Sequence, residues 1–468
     1  MRITDLTRRT FLGGLAGAAS ARAQQRPTNV IIILADDLGA RDLGCYGSTF
    51  HETPNLDAFA RTGVRFTQAY AACPVCSPTR ASIVTGKYPA RLHLTDWIPG
   101  RKQWPTAKLL TPQFEQQLPH DEITLAEALK AKGYVSASIG KWHLGGEGFL
   151  PTDQGFALNI GGTEKGSPPS YHAPFRIPGL KDEGYLTDNL TGRAEEFLEQ
   201  NRDNPFFLYL PHFAVHTPLQ AKREMVEKYQ RKGKGQSDPI YAAMLQSLDE
   251  GVGRILRKLD SLAIAGHTAV FFLSDNGGLR FEGRRNIPVT NNAPLRAGKG
   301  HLYEGGIRIP LLVRWPGVTR AGLSGAVAST VDLMPTVLDL TGAGKPAMDG
   351  VSLAPAMRGG GVKRDAVYWH YPHYSNQGGV PGAAIRRGDW KLIEFYEDGR
   401  LELFNLRADP GEKRNLVNRE KRRAADLHRL LRAWRDETKA AMPSVNPDYD
   451  AAKSDQGLAG VEKPSPPA

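Results

Sequence analysis

The sequence predicts an α/β protein with a large, mostly parallel central sheet flanked by helices, followed by a smaller C-terminal subdomain of antiparallel sheet plus helix. Three observations carry this expectation. Apolar, β-rich runs alternate with segments of helical spacing through most of the chain; polar residues repeatedly stand where those runs end; and from about Ala366 the pattern changes to short strand-like runs separated by turns.

The first run, residues 29–35 (Asn-Val-Ile-Ile-Ile-Leu-Ala), reads as a buried strand and stops at Asp36-Asp37. Residues 134–139 end at Gly140-Lys141-Trp142-His143, residues 206–210 lead into His212 and His216, and residues 268–273 lead into Ser274-Asp275-Asn276. Between them, residues 125–132, 190–201 and 241–262 have helix-like spacing. In a parallel sheet covered on both faces, ligands bind outside the carboxyl ends of the strands, so four polar strand ends predict one site. Beyond Ala366, runs at 383–387, 390–396 and 400–405 surround turns such as Glu397-Asp398-Gly399, and a helix is expected from about 420 to 439.

The ends of the chain read differently. Thr7-Arg8-Arg9-Thr10-Phe11-Leu12 is a twin-arginine pattern, residues 13–19 are weakly hydrophobic, and Ala21-Arg22-Ala23 has the form of a cleavage site, so residues 1–23 are expected to be a signal peptide. That predicts export by the twin-arginine machinery of a bacterium to a periplasmic or secreted location. No later run of 18 apolar residues occurs, so no membrane anchor is expected. The resulting organisation is a signal peptide at 1–23, a catalytic domain at 24–365, a C-terminal subdomain at 366–441 and an extended, partly mobile tail at 442–468.

The formal charge is +11, falling to +8 without residues 1–23, which suits an anionic substrate. No basic run or recognition motif accompanies it, so no nucleic acid is expected as partner. Three cysteines, Cys45, Cys73 and Cys76, form no even set. Two arrangements stay open for Cys45 and Cys73, a disulfide between them or burial as small hydrophobic side chains.

A lone aspartate after a strand commonly caps the next helix. Two adjacent acids after one strand and an Asp-Asn pair after another ask for more, because clustered carboxylates repel unless a cation or bases neutralise them. Asp36, Asp37, Asp275 and the amide oxygen of Asn276 are all hard oxygen donors, a set that favours calcium, with magnesium second, and disfavours zinc.

Cys76-Ser77-Pro78-Thr79-Arg80, continuing to Thr85-Gly86-Lys87, resembles the signature of the type I sulfatases, whose cysteine is oxidised to formylglycine by a maturation enzyme. Asp36-Asp37-Leu38-Gly39 and Ser274-Asp275-Asn276-Gly277-Gly278 look like that family's metal segments. Gly140-Lys141-Trp142-His143, His212 to Pro218, Pro294 to Gly300 with Tyr303-Glu304-Gly305-Gly306, and Leu403 to Glu412 resemble four further motifs, in the family's order. The resemblance implies an alkaline-phosphatase-like fold and a sulfuric ester hydrolase. It implies that an oxygen on modified Cys76 joins the metal ligands, that Lys141 and Lys299 hold the sulfate oxygens, and that Arg80 steadies the formylglycine hydrate. One hydroxyl of that hydrate would attack sulfur, His216, with help from Lys299, would protonate the leaving oxygen, and His143 would help to deprotonate the second hydroxyl, which expels sulfate.

For the substrate, the segments Arg91 to Trp97 and Trp369 to Gln377 place imidazoles beside aromatic rings, a combination suited to sugars. His93, His370 and His373 are the expected sugar-binding residues, and the pattern looks like exo-acting carbohydrate sulfatases, with a sulfated galactose or N-acetylgalactosamine as substrate. Two alternatives remain open: a phosphonate or phosphate ester hydrolase on the same scaffold, and a non-catalytic glycan-binding protein with unmodified Cys76.

Overall fold

The computed structural model describes residues 28–233, 235, 237–280 and 289–453. The signal peptide expected at 1–23 lies outside the described residues, as does the tail beyond residue 453.

An eight-stranded sheet organises the chain, in the order Leu158–Ile160, Val135–Ile139, Phe206–Pro211, Asn29–Ala35, Thr268–Ser274, Arg308–Arg314, Val64–Tyr70, Gly322–Ser329. The first five strands are mutually parallel, and only Arg308–Arg314 runs against both of its neighbours. Asn29–Ala35 sits inside the sheet with all seven residues buried. Val30, Ile32 and Leu34 enter the core on one face, while Ile31, Ile33 and Ala35 enter the core on the other. A strand covered on both faces has no polar side, which is why its sequence is a continuous apolar run rather than an alternation. Helices Leu186–Gln200 and Pro239–Ser261 cover one face, and Cys76–Thr85, Leu125–Lys130 and Leu333–Thr341 cover the other.

The second sheet is antiparallel, in the order Val367–Tyr371, Gly382–Arg387, Trp390–Phe395, Leu401–Asn405. Ala383, Ile385, Leu392 and Leu403 pack beneath helix Lys421–Thr438, whose Leu427, Leu431 and Trp434 fill that face. The opposite face, with Trp369, Ala384, Ile393 and Phe404, packs on Tyr70, Cys73, Val75 and Ile307 of the main body. The subdomain therefore buries both faces and cannot swing freely.

The start of the expected tail is tied down. Ser444–Val445 pairs with Leu109–Leu110, and Asn446 Nδ2 donates to the carbonyls of Pro105 and Ala107, both at 2.7 Å. Cys45, Cys73 and Cys76 are free thiols, so of the two arrangements left open for Cys45 and Cys73 the structure has the unpaired one. Cys73 is buried and Cys45 partly so. Among the described residues no helix is long and apolar enough to cross a membrane.

Candidate active site

The parallel strands Asn29–Ala35, Val135–Ile139, Phe206–Pro211 and Thr268–Ser274 end on one edge of the sheet, and their backbones splice the site together there. Asp275 N–H donates to Ala35 O at 3.2 Å, Asp36 N–H to Ala214 O at 2.9 Å, and Lys141 N–H to Pro211 O at 2.8 Å. Helix Cys76–Thr85 presents its first residue to the same place.

Three carboxylates meet three cations. Lys141 Nζ donates to Asp36 Oδ2 at 2.7 Å, and Lys299 Nζ to Asp37 at 2.8 Å. Arg80 donates to Asp275 Oδ2 from Nε at 3.0 Å and from Nη2 at 2.8 Å, and Nη2 lies 3.5 Å from Asp36 Oδ2. Asn276 Nδ2 donates to Asp37 Oδ1 at 2.8 Å. Gly277 makes room for this arrangement, because a Cβ there would stand 1.8 Å from Gly305 O.

Burial favours the neutral acids throughout, but the neighbours decide the outcome. Against burial, Lys141, His216 and Arg80 hold the Asp36 carboxyl below its usual range, and Lys299 with His216 does the same for Asp37. Asp275 goes the other way, raised by burial and by the charge of Asp36. Lys299 is buried, yet Asp37 keeps it firmly protonated.

Within this cluster of carboxylates, Asn276 and cations, two buried oxygens have no hydrogen-bond partner, Asp36 Oδ1 and Asn276 Oδ1. An unsatisfied carboxylate oxygen at zero exposure is costly unless something positive meets it. Together with Asp37 and Asp275 these atoms form a hard, all-oxygen donor set, so the residues fit a divalent cation. Asp36, Asp37 and His216 also offer ligand atoms within 4.8 Å of one another.

Cys76 Sγ lies 3.4 Å from His143 Nδ1, and His143 Nε2 lies 2.6 Å from Ile98 O. A carbonyl can only accept, so Nε2 carries the proton and Nδ1 is the acceptor facing Cys76. Burial, aided by Lys141, pushes His143 well below its ordinary pKa, so the ring is neutral. Burial likewise raises the Cys76 thiol, so it is no ready thiolate. His216 donates from Nδ1 to Thr217 O at 2.7 Å and turns Nε2 toward Asp37 Oδ2 at 3.7 Å.

A cavity of about 570 Å³ opens over these groups, with Asp37, Cys76, His143, His216 and Lys299 in its wall. The remaining wall comes from Trp97 to Pro99, Glu164 to Ser167, Thr217, Leu279, and Asn376 with Gln377. The residues expected to bind sugar do not line it. His93 is exposed and ends the short helix Pro89–Leu92. His370 is buried with both ring nitrogens engaged, by Tyr396 Oη at 2.8 Å and Ala441 O at 2.9 Å. His373 is buried against Thr95 Oγ1 at 2.8 Å. The structure places none of these three on the cavity wall: the imidazoles of His370 and His373 are engaged in hydrogen bonds, His93 stands exposed, and Trp97, Glu164, Lys165, Asn376 and Gln377 stand at the cavity instead. Trp97, Asn376 and Gln377 lie in the two segments singled out from sequence, whereas the loop of Glu164 and Lys165 gave no signal beyond its glycines.

The sulfatase family model matches residues 28–343, more than half of the chain. The chain belongs to the sulfatase family. A second model, described as N-sulphoglucosamine sulphohydrolase, C-terminal, matches residues 297–437 of this sulfatase. Arylsulfatase A of Homo sapiens is 34% identical over 463 residues, covering 86% of this chain and 86% of the relative. N-acetylgalactosamine-6-sulfatase of Canis lupus familiaris is 35% identical over 387 residues, covering 76% and 70%. Among solved structures, Ps i-CgsB in complex with k-i-k-neocarrahexaose superposes with a TM-score of 0.77 at 29% identity, over 93% of this sulfatase and 98% of that chain. The chain is thus a sulfuric ester hydrolase with the alkaline-phosphatase-like fold.

Proposed function

We propose that this sulfatase releases inorganic sulfate from a sulfated saccharide, with a galactose or N-acetylgalactosamine sulfate as the class to test first. The observation that carries the reading is the placement of Cys76 on the cavity wall, beside the His143 acceptor and among Lys299, His216 and the unsatisfied oxygens of Asp36 and Asn276. The names of two similar proteins, an N-acetylgalactosamine-6-sulfatase and a protein solved with a neocarrahexaose, support a saccharide.

Conversion of Cys76 to formylglycine by a maturation enzyme supplies a hydrated aldehyde, an oxygen nucleophile that the protonated thiol cannot match. Asp36, Asp37, Asp275 and Asn276 would hold a calcium ion, or magnesium as second choice, which supplies positive charge for the sulfonyl oxygens. Lys141 and Lys299 add preorganised charge around the same oxygens, the kind of stabilisation that dominates such reactions. Arg80, fixed by Asp275 and by Lys141 O at 2.9 Å, holds the carboxylates in register. His143 Nδ1 takes a proton at the Cys76 side. His216 Nε2, facing the cavity, delivers one to the leaving oxygen; burial and Lys299 lower its pKa, so a bound anion must raise it for the ring to act as an acid. Export through the twin-arginine machinery completes the proposal.

The test is mass spectrometry of the Cys76 peptide after coexpression with a formylglycine-generating enzyme, paired with sulfate release from a panel of sulfated sugars. Conversion with release from a galactose-type sulfate supports the reading. Full conversion with hydrolysis of phosphonate esters alone would replace it, and so would a thiol that stays unconverted while glycan binds.

A further inference from the structure

We propose that Ser77, the residue after the nucleophile position, is a positioning residue that fixes the ring tautomer of His143 through the backbone of Ile98. Ser77 is fully buried, and its Oγ accepts the Ile98 N–H at 3.1 Å. The carbonyl of the same residue accepts His143 Nε2–H at 2.6 Å. His143 Nδ1 then faces Cys76 Sγ at 3.4 Å. Because Cys76 and Ser77 are consecutive in the first turn of helix Cys76–Thr85, the circuit closes on itself: one side chain of the turn is served by the imidazole, and the next holds the acceptor that orients that imidazole.

The loop has a second pin. Asp96 Oδ1 accepts the Trp97 N–H at 2.9 Å, so two consecutive peptides are held by side-chain oxygens. Removing the Ser77 hydroxyl leaves the buried Ile98 N–H, part of the Trp97–Ile98 peptide, without its partner, and the loop relieves this by shifting Ile98 toward another acceptor. That shift moves the Ile98 Cα, which the N–H and the carbonyl share, and so carries Ile98 O, in the next peptide, away from Nε2. The neutral ring then loses its reason to keep the proton on Nε2, and a ring protonated on Nδ1 cannot accept from the Cys76 position. The effect on turnover rests on the proposed reaction; the effect on the tautomer does not.

The experiment has two readouts. In unconverted protein, long-range proton–nitrogen spectra of labelled histidine, with His143 assigned by its loss in His143→Gln, report which nitrogen carries the proton. In converted protein, kcat and KM are measured per formylglycine, because Ser77 lies inside the segment that the maturation enzyme reads. The native chain shows the Nε2–H form. Ser77→Ala shows a mixture, with kcat down by roughly 10- to 100-fold, less than the loss of a whole general base, and KM within about 2-fold. Ser77→Thr, which keeps the hydroxyl, restores both. Native kcat in Ser77→Ala, or a low kcat with the tautomer unchanged, would overturn the proposal. If Ser77→Ala does not fold, the tautomer is read on Ser77→Cys, whose thiol is a weaker acceptor at the same place, and an unchanged spectrum there has the same negative meaning. If no converted protein releases sulfate, the reaction fails, and the tautomer alone still decides the role of Ser77.

Discussion

Arg80 grips one oxygen of Asp275 with two nitrogens, at 3.0 and 2.8 Å, while its third donates to Lys141 O at 2.9 Å, and every one of these side chains has zero exposure. A planar fork with five fixed donors can make such contacts simultaneously; an ammonium cannot. Arg80→Lys should therefore cost on the order of 3 kcal/mol in urea unfolding, because it leaves buried carboxylates short of donors. Sulfate release should fall more than about 100-fold, scored only on protein whose Cys76 conversion has been checked by mass. Native stability in this variant would contradict the role assigned to the fork.

The unsatisfied Asp36 Oδ1 and Asn276 Oδ1 predict that the folded chain gains stability from a divalent cation. The thermal midpoint should rise as calcium is added to chelator-treated protein, by about 3 kcal/mol of stability at a hundredfold excess over Kd. Asn276→Ala should blunt that response, and a midpoint indifferent to calcium and magnesium would count against the donor set.

Gly166 lies against the ring of His143, where an added Cβ would stand 2.5 Å from Cε1 and 2.8 Å from Nε2. Gly166→Ala should displace the imidazole and lower kcat by roughly 10-fold or more, while the unfolding midpoint stays nearly native. Unchanged kcat would show that the loop yields instead of the ring.

Burial pushes the Asp96 carboxyl up to about 7, despite hydrogen bonds from Trp97 N–H and the Tyr371 hydroxyl. A raised carboxyl binds its proton more tightly in the folded chain, so the associated stability is present at low pH and is lost as pH climbs from about 4 through 7. Asp96→Asn keeps an acceptor for Trp97 N–H without the charge. Its advantage over the native chain should grow between pH 5 and 8, reaching on the order of 2–4 kcal/mol, and a gap that does not change with pH would refute the assignment.

Asn376 and Gln377 line the cavity without entering the charged cluster. Alanine at both should raise KM for a sulfated saccharide several-fold with kcat retained, while a small aryl sulfate is hydrolysed as before. Equal losses on both substrates would place them in the shared machinery.

Much of this was legible in the chain. The runs that became the central strands were recognisable because burial on both faces removes polar residues from them, as in Asn29–Ala35. Asp36, Lys141 and Asp275 are legible because each stands within two residues of the end of such a strand, and Cys76 because it opens a distinctive segment. The sugar-facing wall was not legible in the same way. Histidines invite a functional reading, yet His370 and His373 turned inward, where Tyr396, Ala441 and Thr95 satisfy their nitrogens. Glu164 and Lys165 sit on a loop with no periodicity to mark them.

By itself, the sequence determined the α/β architecture, the edge of the sheet where polar residues collect, and the chemical character of the core, because hydrophobic periodicity and strand-end residues are local properties of the chain. Only the tertiary structure decided which nitrogen of His143 faces Cys76, which cation neutralises which carboxylate, and which side chains line the cavity. Those depend on partners far apart in sequence, such as Ile98 with His143 and Arg80 with Asp275, and their choice is made by packing geometry that no local pattern encodes.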